Sequence, residues 1–102
     1  MASRHKLHEE LCEILGSRNV YFQPPASVKM QYPGIKYSFT GIAPKRANNR
    51  IYASTNRYEV ILIEYDPDSD IGEKLLSHFP MCNFEHSYVA DNLNHKVYTI
   101  YY

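Results

Sequence analysis

One run constrains this chain more than any other: Val60-Ile61-Leu62-Ile63, four apolar residues in a row inside Tyr58 to Tyr65. A strand with one wet face alternates apolar and polar side chains. A strand apolar at every position must be covered on both faces. The closing segment, Val97-Tyr98-Thr99-Ile100-Tyr101-Tyr102, also carries bulk on both faces. The chain has 102 residues, enough for one domain. The cover for these two strands must therefore come from little material.

Residues 3–15 read as a helix. Leu7, Leu11, Ile14 and Leu15 make one apolar stripe, with Ser3 placed to cap it and Gly16 to end it. Glu9, Glu10 and Glu13 lie off the stripe and are expected to face water. Val20-Tyr21-Phe22 reads as a short strand or extended segment, stopped by Pro24-Pro25. Beyond the Pro33-Gly34 turn, Ile35, Tyr37 and Phe39 alternate with Lys36 and Ser38, as in a strand buried on one face. Asp66-Pro67-Asp68-Ser69 is turn chemistry feeding a second helix over about 70–79, with Ile71, Leu75 and Phe79 on its stripe. Asp70 and Glu73 have the spacing of a capping box, and Pro80 ends the helix. Phe84 to Ala90 and His95 to Tyr102 read as a hairpin across Asp91-Asn92-Leu93-Asn94, with Phe84, His86 and Tyr88 sharing a face. The expected fold is α+β in the order α–β–β–α–β–β: a mainly antiparallel four-stranded sheet with two helices packed on one face.

Two short helices cover one face of such a sheet, not both. A second face of Tyr, Ile and Val left in water would be a large exposed patch. The simplest cover is a partner, most cheaply another copy of the chain. The competing cover is the Pro-rich segment 23–34, or the segment 40–57, folding over that face. Ten tyrosines and no tryptophan favour an interface, because tyrosine joins an apolar face to a polar tip. Val60, Leu62, Tyr98, Ile100 and Tyr102 are accordingly expected in the core or in subunit contacts.

Residues 40–57 show no clear period. They hold Lys45, Arg46, Arg50 and Arg57 and no acid, as a long basic loop or a flared hairpin tip. Such a segment can neutralise phosphates or meet an acidic partner. Tyr52 alone gives little aromatic interleaving for base stacking. Over the whole chain 11 basic residues balance 11 acidic ones, so the global excess of a nucleic-acid coat protein is missing. No apolar run approaches the roughly 20 residues that span a bilayer, and the start of the chain lacks an apolar signal core, which reads as soluble and not secreted.

Chemistry-bearing groups are sparse. His5 and His8 lie three apart beside Glu9 and Cys12, a loose metal spacing for which helix-surface histidines are the simpler reading. His78, Cys82, His86 and His95 would form a nucleophile–base pair only if the fold converged them. Asp66, Asp68, Asp70 and Gly72 echo the start of a calcium loop, but position 77 is Ser77 where a Glu is needed, and helix capping explains the run. Cys12 and Cys82 read as reduced thiols. No Gly-rich phosphate cradle, nucleophile elbow or paired-carboxylate motif is present, so neither an enzyme nor a cofactor is expected.

Taken over nearly its full length, the chain resembles the tail terminator (tail-tube completion, minor tail) proteins of long-tailed bacteriophages. The resemblance is carried by the N-terminal amphipathic helix and by Val20-Tyr21-Phe22-Gln23-Pro24-Pro25. It continues through Met30-Gln31-Tyr32-Pro33-Gly34-Ile35-Lys36-Tyr37, and Arg57-Tyr58-Glu59-Val60 running to Asp66-Pro67-Asp68-Ser69. It closes with Asp91-Asn92-Leu93-Asn94-His95 and Tyr98-Thr99-Ile100-Tyr101-Tyr102. It implies a structural protein of the virion tail or neck, present in the host cytoplasm during assembly and bound to no membrane. The implied assembly is a homo-hexameric ring at the head-proximal end of the tail tube. That ring would end tube polymerisation, contact the tail tube protein and the head–tail connector, and let DNA pass through its lumen without sequence-specific binding. Lys45, Arg46 and Arg50 would then line the lumen or touch a neighbouring ring. Two alternatives stand beside this reading: another neck or head-completion connector protein, and a small DNA-binding protein using residues 45–57.

Overall fold

In the computed structural model, which describes residues 4–47 and 50–102, the chain forms two helices and one five-stranded sheet. Helix α1 spans Arg4–Leu15 and ends where Gly16, at φ +81, donates its N–H to Cys12 O at 2.9 Å. Strand β1 is Val20–Phe22, β2 is Gly34–Ala47 and β3 is Arg50–Glu64; α2 is Ile71–His78, β4 is Cys82–Ala90 and β5 is Leu93–Tyr101. Ser3, the expected cap of α1, lies outside the described residues.

The sheet order is β1-β2-β3-β5-β4. The expected α+β class holds, with five strands in place of four. Val20-Tyr21-Phe22 adds to the edge as a short strand parallel to β2, in register with Ile35, Lys36 and Tyr37, and the other pairs are antiparallel. Pro24-Pro25 then prevents β1 from lengthening.

Both helices lie on one face. Leu7, Leu11, Leu15, Leu75 and Phe79 pack there on Val20, Ile35, Tyr37, Tyr58, Val60, Leu62, Tyr98 and Ile100. Gly72 lets α2 sit close: a Cβ there would run into the Tyr98 hydroxyl. Asp70 precedes α2 without a side-chain cap, so the capping box suggested by Asp70 and Glu73 does not form; Asp70 pairs instead with Lys74 at 3.7 Å.

The other face is not left bare. Ile61, Ile63, Leu93 and Val97 form a second small core, covered by Met30 and Tyr32 from the segment between β1 and β2. That segment is pinned across the face. Gln31 N–H donates to the Tyr21 hydroxyl at 3.0 Å, and Asn19 Nδ2 donates to Pro33 O at 3.3 Å. Of the two covers weighed from the sequence, the chain's own residues 23–34 supply this one, and Ile61 is only 8% exposed without any partner. Beyond that cover this face carries Lys36, Ser38, Thr40, Arg57, Glu59 and Thr99 together with Tyr101.

Candidate functional site

Of the loop and the hairpin tip expected for residues 40–57, the described residues form the hairpin. They are the outer half of the β2–β3 hairpin, paired from Gly41↔Arg57 through Ala47↔Arg50 with register shifts after Phe39 and after Lys45. β1 stops opposite Tyr37 and β5 stops opposite Arg57, so beyond those points the hairpin continues as a two-stranded arm. At about 3.4 Å per residue, the seven residues from Gly41 to Ala47 reach some 20 Å or more. The arm accounts for the elongated envelope of 49 × 27 × 23 Å. Gly41, Pro44 and the two register shifts break the period-2 alternation here, which is why the sequence shows no clear strand period over a paired hairpin. The base of the arm is tied by Arg57, whose Nη2 donates to Thr40 O at 2.9 Å. Ile42 is 60% exposed on the arm, and Phe39 is exposed at its base. Lys45, Arg46 and Arg50 have their backbones in the arm; the placement of their side chains lies outside the described residues.

The sheet presents open edges on both sides. On one side, Phe39 N–H is capped by Gln23 Oε1 at 3.1 Å, and beyond it the outer edge of β2 has no neighbouring strand. On the other, β4 is an edge strand of nine residues, exposed from Asn83 to Val89. A row of unpaired N–H and C=O groups of this length is a template for another strand.

A β-bulge between Phe84 and His86 divides β4. Phe84 faces the helices and packs edge-on against Tyr98 at 5.4 Å. His86 and Tyr88 turn to the opposite face, where Tyr88 stacks on His95 at 4.7 Å. The expectation that Phe84, His86 and Tyr88 share a face fails at this one extra residue. The same bulge separates Cys82, packed against the helix-side core, from His86 and His95. No nucleophile–base pair forms there, and burial pushes the Cys82 thiol up to about 11.

Between α2 and β4 lies a groove of about 370 Å³ lined by Pro67, Asp68, Gly72, Glu73, Leu76 and Phe84, with Lys96 and Tyr98 at its floor. Leu76 is 43% and Phe84 49% exposed. The Lys96 ammonium is engaged by Pro67 O at 3.2 Å.

The remaining candidates fall elsewhere. Val60, Leu62, Tyr98 and Ile100 are buried beneath the helices, and Tyr102 is half-buried against the same core. These residues therefore serve the interior of one chain. His8 is no solvated surface histidine: its Nδ1 lies 2.7 Å from the Tyr37 hydroxyl, and burial, helped by Arg18, lowers its pKa. Glu10, expected to face water, is half-buried and joins three elements, with His78 Nε2 at 2.8 Å and the Tyr102 hydroxyl donating to its other oxygen. Burial pushes the Glu10 carboxyl up, but the bonds from Tyr102 and His78 outweigh it and hold the pKa below its ordinary value. Burial and the Glu10 carboxylate drive the Tyr102 phenol up to about 12. Asp66 accepts the Asp68 N–H at 2.9 Å, which is turn chemistry. Among the described residues, no three His, Cys, Asp or Glu side chains converge as a metal set, and no helix is long and apolar enough to cross a membrane.

No protein-family model matches the sequence, and no curated protein matches it significantly.

Proposed function

We propose that this chain is a structural subunit that assembles head-to-tail into a ring, and that the ring ends the tail tube of a long-tailed bacteriophage beneath the head connector. One observation carries the assembly reading: a single sheet ends in two different open edges, the β2 side bearing a projecting arm and the β4 side a bare nine-residue strand. Unlike edges favour a heterologous contact, which closes into a ring when the rotation between copies is fixed. The support rests on these edges and not on an apolar sheet face, because residues 23–34 already cover that face. Termination follows from geometry: one ring face matches the tube subunit, the other does not, and no further subunit adds.

The likeness to tail terminators in Val20–Pro25, Met30–Tyr37 and the closing hairpin supplies the specific identity within this reading. The test is sedimentation and electron microscopy of the protein alone and mixed with tail tube protein. Ring particles of fixed subunit number on tube ends are expected. A monomer in both conditions overturns the proposal, and a twelve-fold particle bound to the portal side points to a connector protein instead. A second reading draws on the arm's four cations without an acid: binding of DNA. It requires salt-sensitive DNA affinity near 50 mM salt that is lost in Lys45→Ala/Arg46→Ala/Arg50→Ala.

A further inference from the structure

We infer that the docking site for the arm is the α2–β4 groove of a second copy of this chain. The inference rests on the self-assembly proposed above and names the two surfaces that would meet.

Charge is the first argument. The chain is neutral overall, yet residues 40–58 contain four cations and no acid, so the remainder holds seven cations against eleven acids. The groove is part of that acidic remainder: Asp68 and Glu73 line it, and Asp66 stands in the turn that leads into it. Lys74 is paired with Asp70, and Lys96, which donates to Pro67 O, keeps its charge but is outnumbered by Asp68 and Glu73. A neutral molecule with its charges separated in this way attracts its own copies in one orientation and repels them in the other.

Apolar surface is the second. The groove exposes Leu76 and Phe84 between its acids, the arm exposes Ile42, and Phe39 is exposed at the arm's base. Each surface thus offers apolar side chains, on a segment basic in sequence in one case and in a groove lined by Asp68 and Glu73 in the other. Backbone is the third. The groove is bordered by β4, whose outer edge is open, and the arm's β2 edge is open past Phe39. An arm laid along β4 would extend the sheet while setting Ile42 toward the apolar strip. The arm rises from the β2 side of the sheet and the groove lies at the β4 side, so one copy cannot satisfy itself sideways and the contact passes from copy to copy.

Paired charge reversal decides the matter. Lys45→Glu/Arg46→Glu/Arg50→Glu gives an acidic arm, and Asp68→Lys/Glu73→Lys gives a basic groove. Each variant alone meets like charge and should self-associate at least about tenfold more weakly than the parent, read by analytical ultracentrifugation with and without tail tube protein. Mixed in equal amounts they should assemble again, because both junctions in an alternating ring are then complementary. Unchanged melting curves show that each variant folds. As an independent readout, a photo-crosslinker replacing Ile42 should join to residues 68–84 of another copy.

If the parent assembles while both variants still assemble, or the mixture stays apart, or the crosslinks map elsewhere, the docking site is wrong and the ring reading survives. If the arm variant loses only DNA binding and assembles normally, the arm serves nucleic acid and the inference falls. If the parent remains monomeric even with tube protein, the assembly reading fails and the docking site with it.

Discussion

Strands β2 and β3 belong to two different molecules in physical terms. From Gly34 to Phe39 and from Tyr58 to Glu64 they are the middle of a five-stranded sheet, with helices on one face and residues 23–34 crossing the other. From Gly41 to Ala47 and from Arg50 to Asn56 the same strands pair only with each other. The sequence changes character at that boundary: Tyr58-Glu59-Val60-Ile61-Leu62-Ile63 gives way, toward the arm, to Ala53-Ser54-Thr55-Asn56-Arg57. A hairpin without a covered face is marginal in isolation. Backbone pairing continues where burial has ended, so stability resides in the body and the arm is left available for contact.

The sharpest way to break this contrast is to cut the cover. Leu62 is fully buried under both helices. Leu62→Ala should cost about 3 kcal/mol and lower Tm by more than about 10 °C, measured by urea and thermal unfolding. An equivalent truncation at Ile42, 60% exposed on the arm, should leave both unchanged. Equal losses at the two sites would show that body and arm are one cooperative block.

Next in size is Gly72→Ala. The added methyl collides with the Tyr98 hydroxyl and must push α2 off the sheet, a loss of about 2 kcal/mol despite the better helix propensity of alanine. Adding Tyr98→Phe removes the obstructing oxygen and should return most of the loss. A double variant no better than the single would mean that another contact sets the height of the helix.

These two positions also mark what the residues disclosed. Leu62 was legible as core from its neighbours alone, because an unbroken apolar run admits few placements. Both helices, the β4–β5 hairpin and the strand at 58–65 were legible for the same reason of period. The hairpin at 40–57 and the cover from 23–34 were each legible only as one of two alternatives, and the pairing register of the arm, the bulge at Glu85 and the choice of Met30 and Tyr32 as covering residues were not legible. Each depends on pairing or packing between residues far apart in the chain, and none leaves a local period. The assembly surfaces were half legible: the basic run at 45–57 stands out in the sequence, whereas Leu76 and Phe84 become neighbours only when α2 lies across the sheet.

A smaller effect should come from the tie that holds the cover in place. Glu10 joins α1 to His78 of α2 and to Tyr102. Its pKa is lower in the folded chain than its ordinary 4.5. A carboxyl depressed by folding binds fewer protons in the native state, so its contribution is complete above the unfolded value and is lost as pH falls through the folded one. Glu10→Gln should therefore cost about 1 kcal/mol at pH 7, and the gap from the parent should close as the pH drops below about 4. A gap that persists at low pH would assign the effect to packing.

The smallest effect on stability is expected where the outer part of the arm, with its three cations Lys45, Arg46 and Arg50, is removed. Ala43 and Thr55 are paired across the hairpin, so replacing residues 44–54 with Asn-Gly closes the two strands by a tight two-residue turn in the existing register. The body keeps every residue of both cores. Unfolding free energy should stay within about 0.5 kcal/mol of the parent, and self-association should nevertheless be lost. A loss above about 1.5 kcal/mol would mean that the arm supports the fold, and the division between a stable body and a contact-making arm would have to be abandoned. Full assembly without the arm would keep that division but move the contact to the β4 edge alone. Stability and association measured on the same shortened chain thus separate what the arm does for its own subunit from what it does for the next.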